Sequence, residues 1–250
     1  MKALVIIPTY NELESLPTIV QRVRTAVPEC DILIVDDNSP DGTGDLADSY
    51  AQEDSQIHVL HREGKEGLGR AYLHAFSWAM EDGGYTHLVQ MDADGSHRPE
   101  ELPLLLERAA MSDAPDLVIG SRYVRGGETV GWSRARELLS RGGNAYIRLW
   151  LGLPVSDATA GFRVYKIDFL RTLDLESVES AGYFFQTDMT YHVHNAGGHI
   201  VEMPISFAER EAGTSKLSGN IFTESLKRTT RMGLAHRTAQ LRTFFSSSKS

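Results

Sequence analysis

The sequence predicts an α/β fold, a mostly parallel sheet flanked by helices. Three observations lead there. Short apolar runs of strand length recur through the first half, stretches with apolar residues at helical spacing separate them, and polar turn residues follow the runs directly. That alternation is the pattern of parallel strands joined by crossover helices.

The first run, Ala3 to Ile7, is ended by Pro8, and Asn11 follows as a helix cap. Leu16, Ile19, Val20, Val23 and Val27 then recur at helical spacing, so one stripe faces the sheet. Asp31 to Val35 and Ile57 to Leu60 read as the second and third strands. Leu68, Ala71, Ala75, Phe76 and Ala79 form the next helical stripe, ahead of a fourth strand at His87 to Met91. A helix follows over Pro99 to Ala110, with Ser96 or His97 near its start and its prolines in the first turn. Leu117 to Ile119 is the fifth strand. Beyond it, glycines from Gly126 to Gly161 punctuate an arginine-rich stretch of loops and one helix, Ser133 to Leu151. The last ordered block, Tyr165 to Phe207, holds a helix near Thr187 to Asn195 and an extended segment near His199 to Phe207. Folds of this kind bind ligands at the carboxyl ends of their strands, where loops meet helix N-termini.

With 250 residues, 41% hydrophobic and 24% charged, the chain can bury one full core. Residues 1–218 read as that domain, and residues 219–250 as a basic amphipathic segment, disordered at its end. Cys30 is the only cysteine, which excludes an intrachain disulfide and a cysteine-held metal and fits a reducing, cytoplasmic compartment. No run of about 18 apolar residues exists to span a membrane, and Pro8 cuts the first apolar run too early for a signal peptide. A lipid substrate would be met at a surface. The net charge of -9 excludes a general nucleic-acid binder. From Ile221 onward, however, Lys227, Arg228, Arg231, Arg237, Arg242 and Lys249 face the single acid Glu224, a local balance of +5. Such a segment suits an anionic membrane face or a membrane-protein partner.

The chemistry sits just after the strands. Tyr10 and Glu12 follow the first and can reach a planar base, and Asp36 to Thr43 follow the second, where acids commonly accept bonds from ribose or base. The fourth strand runs into Asp92-Ala93-Asp94-Gly95-Ser96-His97. In an extended segment Asp92 and Asp94 would project to one side with Ala93 leaving room between. Two close carboxylates call for a cation, and hard oxygen ligands favour Mg²⁺ or Mn²⁺ completed by substrate phosphates. Arg136 and Ser140 stand four apart on a predicted helix and share a face, and Arg122 follows the fifth strand. The nine histidines lack ligand spacing and read as structural, and no phosphate loop or Ser/His/Asp order stands out.

Seven segments in order are Ile7-Pro8-Thr9-Tyr10-Asn11-Glu12, Val35 to Thr43, Gly67-Leu68-Gly69-Arg70-Ala71-Tyr72, Met91 to Asp94, Gly120-Ser121-Arg122-Tyr123, Asp157 to Arg163 and Arg210 to Leu217. Together they resemble the family-2 glycosyltransferases, specifically the polyprenyl-phosphate mannose synthases. The resemblance implies a Rossmann-like glycosyltransferase type A catalytic domain over residues 1–218. It implies that Pro8, Tyr10, Glu12, Val35, Asp37, Asp92 and Ala93 hold the guanosine end of GDP-mannose. Asp94, aided by Asp92, would bind the metal, with Ser96 standing where some relatives have a ligating glutamine. Lys65, Arg210 and Lys216 would meet the donor diphosphate, and Arg122, Arg136 and Ser140 the acceptor phosphate. Arg163 would pair acids while Gly161 permits a tight turn.

The reaction so implied is inverting transfer of mannose from GDP-mannose to a polyprenyl phosphate, with Asp94, Arg122 and Lys216 carrying catalysis on the cytoplasmic membrane face. The acceptor oxygen is already ionised near neutral pH and needs no strong base. Three alternatives compete. A UDP-glucose-dependent transferase would use the same lipid. A transferase acting on a saccharide or protein hydroxyl would need Asp188 as base, and a silent nucleotide-sugar sensor would not turn over.

Overall fold

The computed structural model describes residues 1–82, 84–178, 180, 182, 184–209, 226–234 and 238. In chain order they form β1 (Ala3–Thr9), α1 (Leu16–Ala26), β2 (Asp31–Asp36), α2 (Thr43–Glu53), β3 (Ile57–His61), α3 (Leu68–Asp82), β4 (His87–Gln90), α4 (Leu102–Ala109), β5 (Leu117–Ser121) and β6 (Glu128–Val130). There follow α5 (Arg134–Leu151), β7 (Arg163–Lys166), α6 (Ile167–Leu170), α7 (Phe185–Asn195), β8 (Ile200–Pro204) and β9 (Ser206–Ala208). A further helix occupies 226–234.

Seven strands make one sheet in the order β3-β2-β1-β4-β7-β5-β8. All neighbours pair in parallel except β7, which runs antiparallel between β4 and β5. The mixed, mostly parallel sheet is therefore as expected. β1 shows why it is central: Leu4 and Ile6 join the apolar cluster under α3 and α7, while Val5 and Ile7 join the one under α1 and α4. Each such side chain contributes about 1.5–3 kcal/mol by leaving water. A strand buried on both faces reads as a continuous apolar run.

Some local expectations change. β1 continues through Pro8 to Thr9. β4 has already ended at Gln90 opposite Ile6, so the proline's missing N–H faces no β4 ladder. Asn11 is not a cap but adopts a positive φ of 58°, and the first helix starts at Leu16, with Ser15 before it. β7 and α2 were not anticipated: β7 has four residues with charged ends, and the buried face of α2 is only Thr43, Gly44 and Ala47. Residues 226–234, expected in an appendage, pack on the domain, with Thr229 fully buried and Met232 against the core.

Candidate active site

Parallel β1, β2, β3, β4 and β5 deliver the loops after Thr9, Asp36, His61, Gln90 and Ser121 to one edge of the sheet. Because β7 is antiparallel, the segment before Arg163 reaches that same edge. Residues from six separate stretches thus converge.

The first two loops are fastened to each other. Asp36 accepts from Thr9 Oγ1 at 3.0 Å and from Ser39 Oγ at 2.6 Å, and Ser39 Oγ accepts from Asn11 N–H at 3.0 Å. Glu12 N–H donates to Thr43 Oγ1 at 3.0 Å. Tyr10 lies half-buried with Lys65 Nζ 4.0 Å from its ring centre, so these two proposed donor residues meet as a cation–π pair. Val35 is wholly buried and can offer a ligand only its backbone. Asp37 is held by Arg62, which also bonds Glu66 at 2.6 Å. Burial pushes the Asp37 carboxyl above its ordinary value and Arg62 opposes that rise. Sequence reasoning missed Arg62, although its place directly after β3 put it on the ligand edge.

Beyond β4 the chain turns instead of staying extended, with Gly95 at φ 77°. Alternation therefore does not set the directions of Asp92 and Asp94; the turn does. Asp94 is 7% exposed, and its Oδ1 accepts from Ser96 N–H at 3.0 Å and Ser96 Oγ at 2.6 Å. Ala93 is buried at 4% and Asp92 is half-buried. Tyr72 lies beneath, where burial, with the charges of Asp92 and Asp94, pushes its hydroxyl pKa well up. Among the described residues no three His, Cys, Asp or Glu side chains form a closed metal cage. Two carboxylates and a hydroxyl are instead a partial hard-oxygen set, which fits a divalent cation completed by phosphates.

His97 is structural, as expected, but its place is inside this site. It is 1% exposed, stacks on Phe162 at 5.3 Å and meets Phe207 edge-on. Its Nδ1 accepts from the Asp92 backbone N–H at 3.1 Å. Burial pushes its pKa down to about 4, so the ring is neutral, and its 3.9 Å approach to the Asp92 carboxylate is not an ion pair near pH 7. Gly161 admits it: a Cβ there would stand 3.1 Å from His97 Cε1 and 3.7 Å from Asp92 Oδ2. Gly161 has no positive φ, so close approach, not a tight turn, accounts for it.

On the far side, Arg122 donates from Nε and Nη2 to Asp157 at 2.7 and 2.6 Å, and from Nη2 to Thr159 at 2.8 Å. Only its Nη1 is left without a hydrogen bond to the described residues. Arg136 presents its guanidinium 4.0 Å over Trp132 and bonds Glu209 at 3.1 Å. Ser140 Oγ accepts from the Tyr123 hydroxyl at 2.6 Å, and the Arg141 guanidinium lies 4.5 Å from the Tyr123 ring centre. The structure thus brings Arg122, Arg136 and Ser140 into one cationic, aromatic cluster. Arg163 corrects an expectation, since its partners are the carbonyls of Ala158 and Ala160 and the hydroxyls of Tyr165 and Thr190, not acids. Arg210 and Lys216 lie outside the described residues. The chain before them is placed between the two halves of the site: Ala208 N–H bonds Ser96 O at 3.2 Å and Glu209 N–H bonds Val130 O at 3.1 Å.

Known proteins are similar to this chain in sequence and in fold. Residues 4–174 match the family described as Glycosyl transferase family 2. The chain is 55% identical over 242 residues to the undecaprenyl-phosphate mannosyltransferase of Micrococcus luteus, covering 97% of this chain and 98% of that one. It is 50% identical over 237 residues to the polyprenol monophosphomannose synthase of Mycolicibacterium smegmatis, covering 94% and 88%. Among solved structures, the glucosyl-3-phosphoglycerate synthase of Mycobacterium tuberculosis with Mn²⁺, UDP-glucose and phosphoglyceric acid superposes with a TM-score of 0.67 at 18% identity, covering 93% and 79%. A mannosyltransferase of Pyrobaculum calidifontis with GDP-mannose and Mn²⁺ gives 0.60 at 14% identity, covering 95% and 64%. The fold is that of the type A glycosyltransferases, and the chain belongs to glycosyl transferase family 2.

Proposed function

We propose that this enzyme transfers mannose from GDP-mannose to a polyprenyl phosphate with inversion, releasing GDP. The observation that carries this reading is the two-sided site: an acidic hard-oxygen turn, Asp92 to Ser96, on one side and the Arg122, Arg136 and Ser140 cluster on the other. An acidic turn suits a cation-bound diphosphate donor, and a cationic, aromatic cluster suits an anionic acceptor. The names of relatives sharing half or more of the sequence support mannose and a polyprenyl phosphate as the pair.

On this reading Pro8, Tyr10, Glu12, Val35, Asp37 and Ala93 hold the nucleoside, and Lys65, Arg210 and Lys216 meet the diphosphate. Asp94, Asp92 and Ser96 would hold Mg²⁺ or Mn²⁺, which supplies charge stabilisation to the departing diphosphate. Ser96 already orients Asp94 through its 2.6 Å bond. Arg136, Ser140 and Arg122 Nη1 place the acceptor phosphate, whose oxygen attacks the anomeric carbon without a protein base. Catalysis is then positioning and leaving-group electrostatics.

Asp188 supports the alternative of a hydroxyl acceptor poorly. It is 4% exposed, and its Oδ2 already accepts from Ser180 Oγ at 2.6 Å, so little of the carboxylate is open to a substrate hydroxyl. The test is transfer from radiolabelled GDP-mannose, UDP-glucose and GDP-glucose to polyprenyl phosphate and to the matching polyprenol. Product from GDP-mannose and the phosphate alone is expected; equal use of UDP-glucose or of polyprenol would overturn the reading.

A further inference from the structure

Arg136, Ser140 and Asn144 stand one turn apart on the same side of α5. The first two bear on the acceptor phosphate; the third is the first buried residue of the helix. Asn144 is 3% exposed, in line with the buried Ile147 and Leu151, where an apolar side chain would continue the core. Asparagine is a poor helix former, and a buried amide needs partners that a leucine does not. Its Nδ2 has two: it donates to Thr159 Oγ1 at 3.0 Å and to the Ser140 carbonyl at 3.1 Å. Its buried Oδ1 has none among the described residues. The position therefore carries a polar cost that apolar packing would avoid.

The way α5 is held shows what that cost secures. No residue of α5 before Asn144 is buried, so the half that carries Arg136 and Ser140 has no apolar anchor of its own. Those two side chains reach the rest of the fold through polar contacts, Arg136 to Glu209 and Ser140 to Tyr123. A surface ion pair such as the first fixes little. Asn144 is where the packed half begins, and its hydrogen bond ends on the segment that holds Arg122. Thr159 Oγ1 accepts from Asn144 Nδ2 and from Arg122 Nη2, and donates at 3.2 Å to Asp157 Oδ1, the carboxylate that pairs with Arg122. A hydroxyl offers two lone pairs and one proton, so that oxygen is fully used. One atom thus ties α5 to the loop before β7 and to the arginine after β5.

We infer that Asn144 is a positioning residue for the acceptor phosphate: through Thr159 it holds the Arg136 and Ser140 half of α5 in register with Arg122. The inference deepens the lipid-phosphate reading and rests on it. A phosphate gripped by groups from two elements is well placed only while those elements keep their spacing, and a misplacement of about 1 Å can cost roughly a hundredfold. Arg122 comes from a strand end, Arg136 and Ser140 from a helix, and the Asn144–Thr159 bond joins the two.

The test uses the full chain with GDP-mannose, Mn²⁺ and polyprenyl phosphate, and compares Asn144→Leu, Thr159→Val and Thr159→Ser with the wild type. Asn144→Leu removes the amide but continues the apolar stripe, so its thermal midpoint should be unchanged or higher. Its KM for the polyprenyl phosphate should rise roughly tenfold, with kcat at saturating acceptor and affinity for GDP-mannose unchanged. Calorimetric binding of a short, water-soluble prenyl phosphate in the presence of GDP and Mn²⁺ should weaken by a similar factor. Thr159→Val should reproduce the defect, and Thr159→Ser, which keeps the oxygen, should not. The double variant Asn144→Leu/Thr159→Val should be no worse than Thr159→Val alone. An unchanged KM in folded Asn144→Leu, losses that add in the double variant, or equal behaviour of Thr159→Val and Thr159→Ser would each overturn the inference. A joint fall in thermal midpoint, kcat and donor affinity would overturn it too, since it would mark Asn144 as merely structural. Wild-type transfer beside an unaltered Asn144→Leu would strike this role and spare the reaction. A wild type that neither binds the prenyl phosphate nor transfers mannose would strike both.

Discussion

The guanidinium of Arg122 is held by Asp157 through two parallel hydrogen bonds, 2.7 Å to Oδ2 and 2.6 Å to Oδ1, with both side chains buried. The same carboxylate also accepts the Arg122 backbone N–H at 3.1 Å. The pair fixes the floor under Tyr123 and Trp132, whose rings lie 5.0 and 5.5 Å from the guanidinium. Asp157→Asn leaves a buried cation without its counter-charge, which costs about 3–5 kcal/mol. Urea unfolding should show a loss of that size, and transfer should fall with it. A loss below about 1 kcal/mol would show that the pair is dispensable.

The pH dependence of stability follows from the same pair. Burial raises the Asp157 pKa, but the charge and hydrogen bonds of Arg122 win and hold it below its ordinary value. A carboxyl depressed in the folded state stabilises fully above its unfolded pKa of about 3.9, and that stability is lost as pH falls through the folded value. Wild-type stability should therefore fall below about pH 4, and the fall should be shallower in Asp157→Asn. Parallel profiles for the two proteins would contradict the assignment.

Gly161→Ala is expected to act through His97 on the turn at Asp92 to Ser96, the proposed metal site. The added methyl would stand 3.1 Å from the ring, which is pinned between Phe162 and Phe207. Overpacking of this kind costs about 1–3 kcal/mol. Mn²⁺ affinity, read by electron paramagnetic resonance, should weaken as well, since His97 holds the Asp92 backbone. Unaltered Mn²⁺ binding in a folded variant would separate His97 from the site.

Arg136→Ala should show the opposite balance. Its ion pair with Glu209 is at the surface, where such pairs are worth about 0–1 kcal/mol. Thermal stability should hardly move, whereas kcat/KM for the polyprenyl phosphate should fall by roughly tenfold or more, with donor affinity unchanged. A donor defect, or no defect, would place the acceptor phosphate elsewhere.

Much of this was legible in the sequence because its signals are local. The apolar strands buried on both faces, the Leu16 to Val27 stripe, and the acids after each strand all follow from residue type and spacing. What was illegible depends on partners brought together by the sheet. β7 carries only four residues and gains its place between β4 and β5 through pairing alone. Arg62 meets Asp37 across 25 positions, and Gly161 faces His97 only because β7 runs antiparallel. β4 ends at Gln90 opposite Ile6 although β1 runs on to Thr9, so where the extended segment gives way to the turn at Asp92 to Asp94 depends on pairing and not on residue spacing.

Asp94 is the proposed anchor of a metal-assisted transfer of mannose to a lipid phosphate. The most direct test of that role is radiolabelled mannose transfer from GDP-mannose to polyprenyl phosphate by the wild type and by Asp94→Asn, with Mn²⁺ and with chelator. The wild type should be active only with metal, and the folded variant should lose roughly a hundredfold or more in rate. Full wild-type activity in chelator, or near-normal turnover by Asp94→Asn, would contradict it.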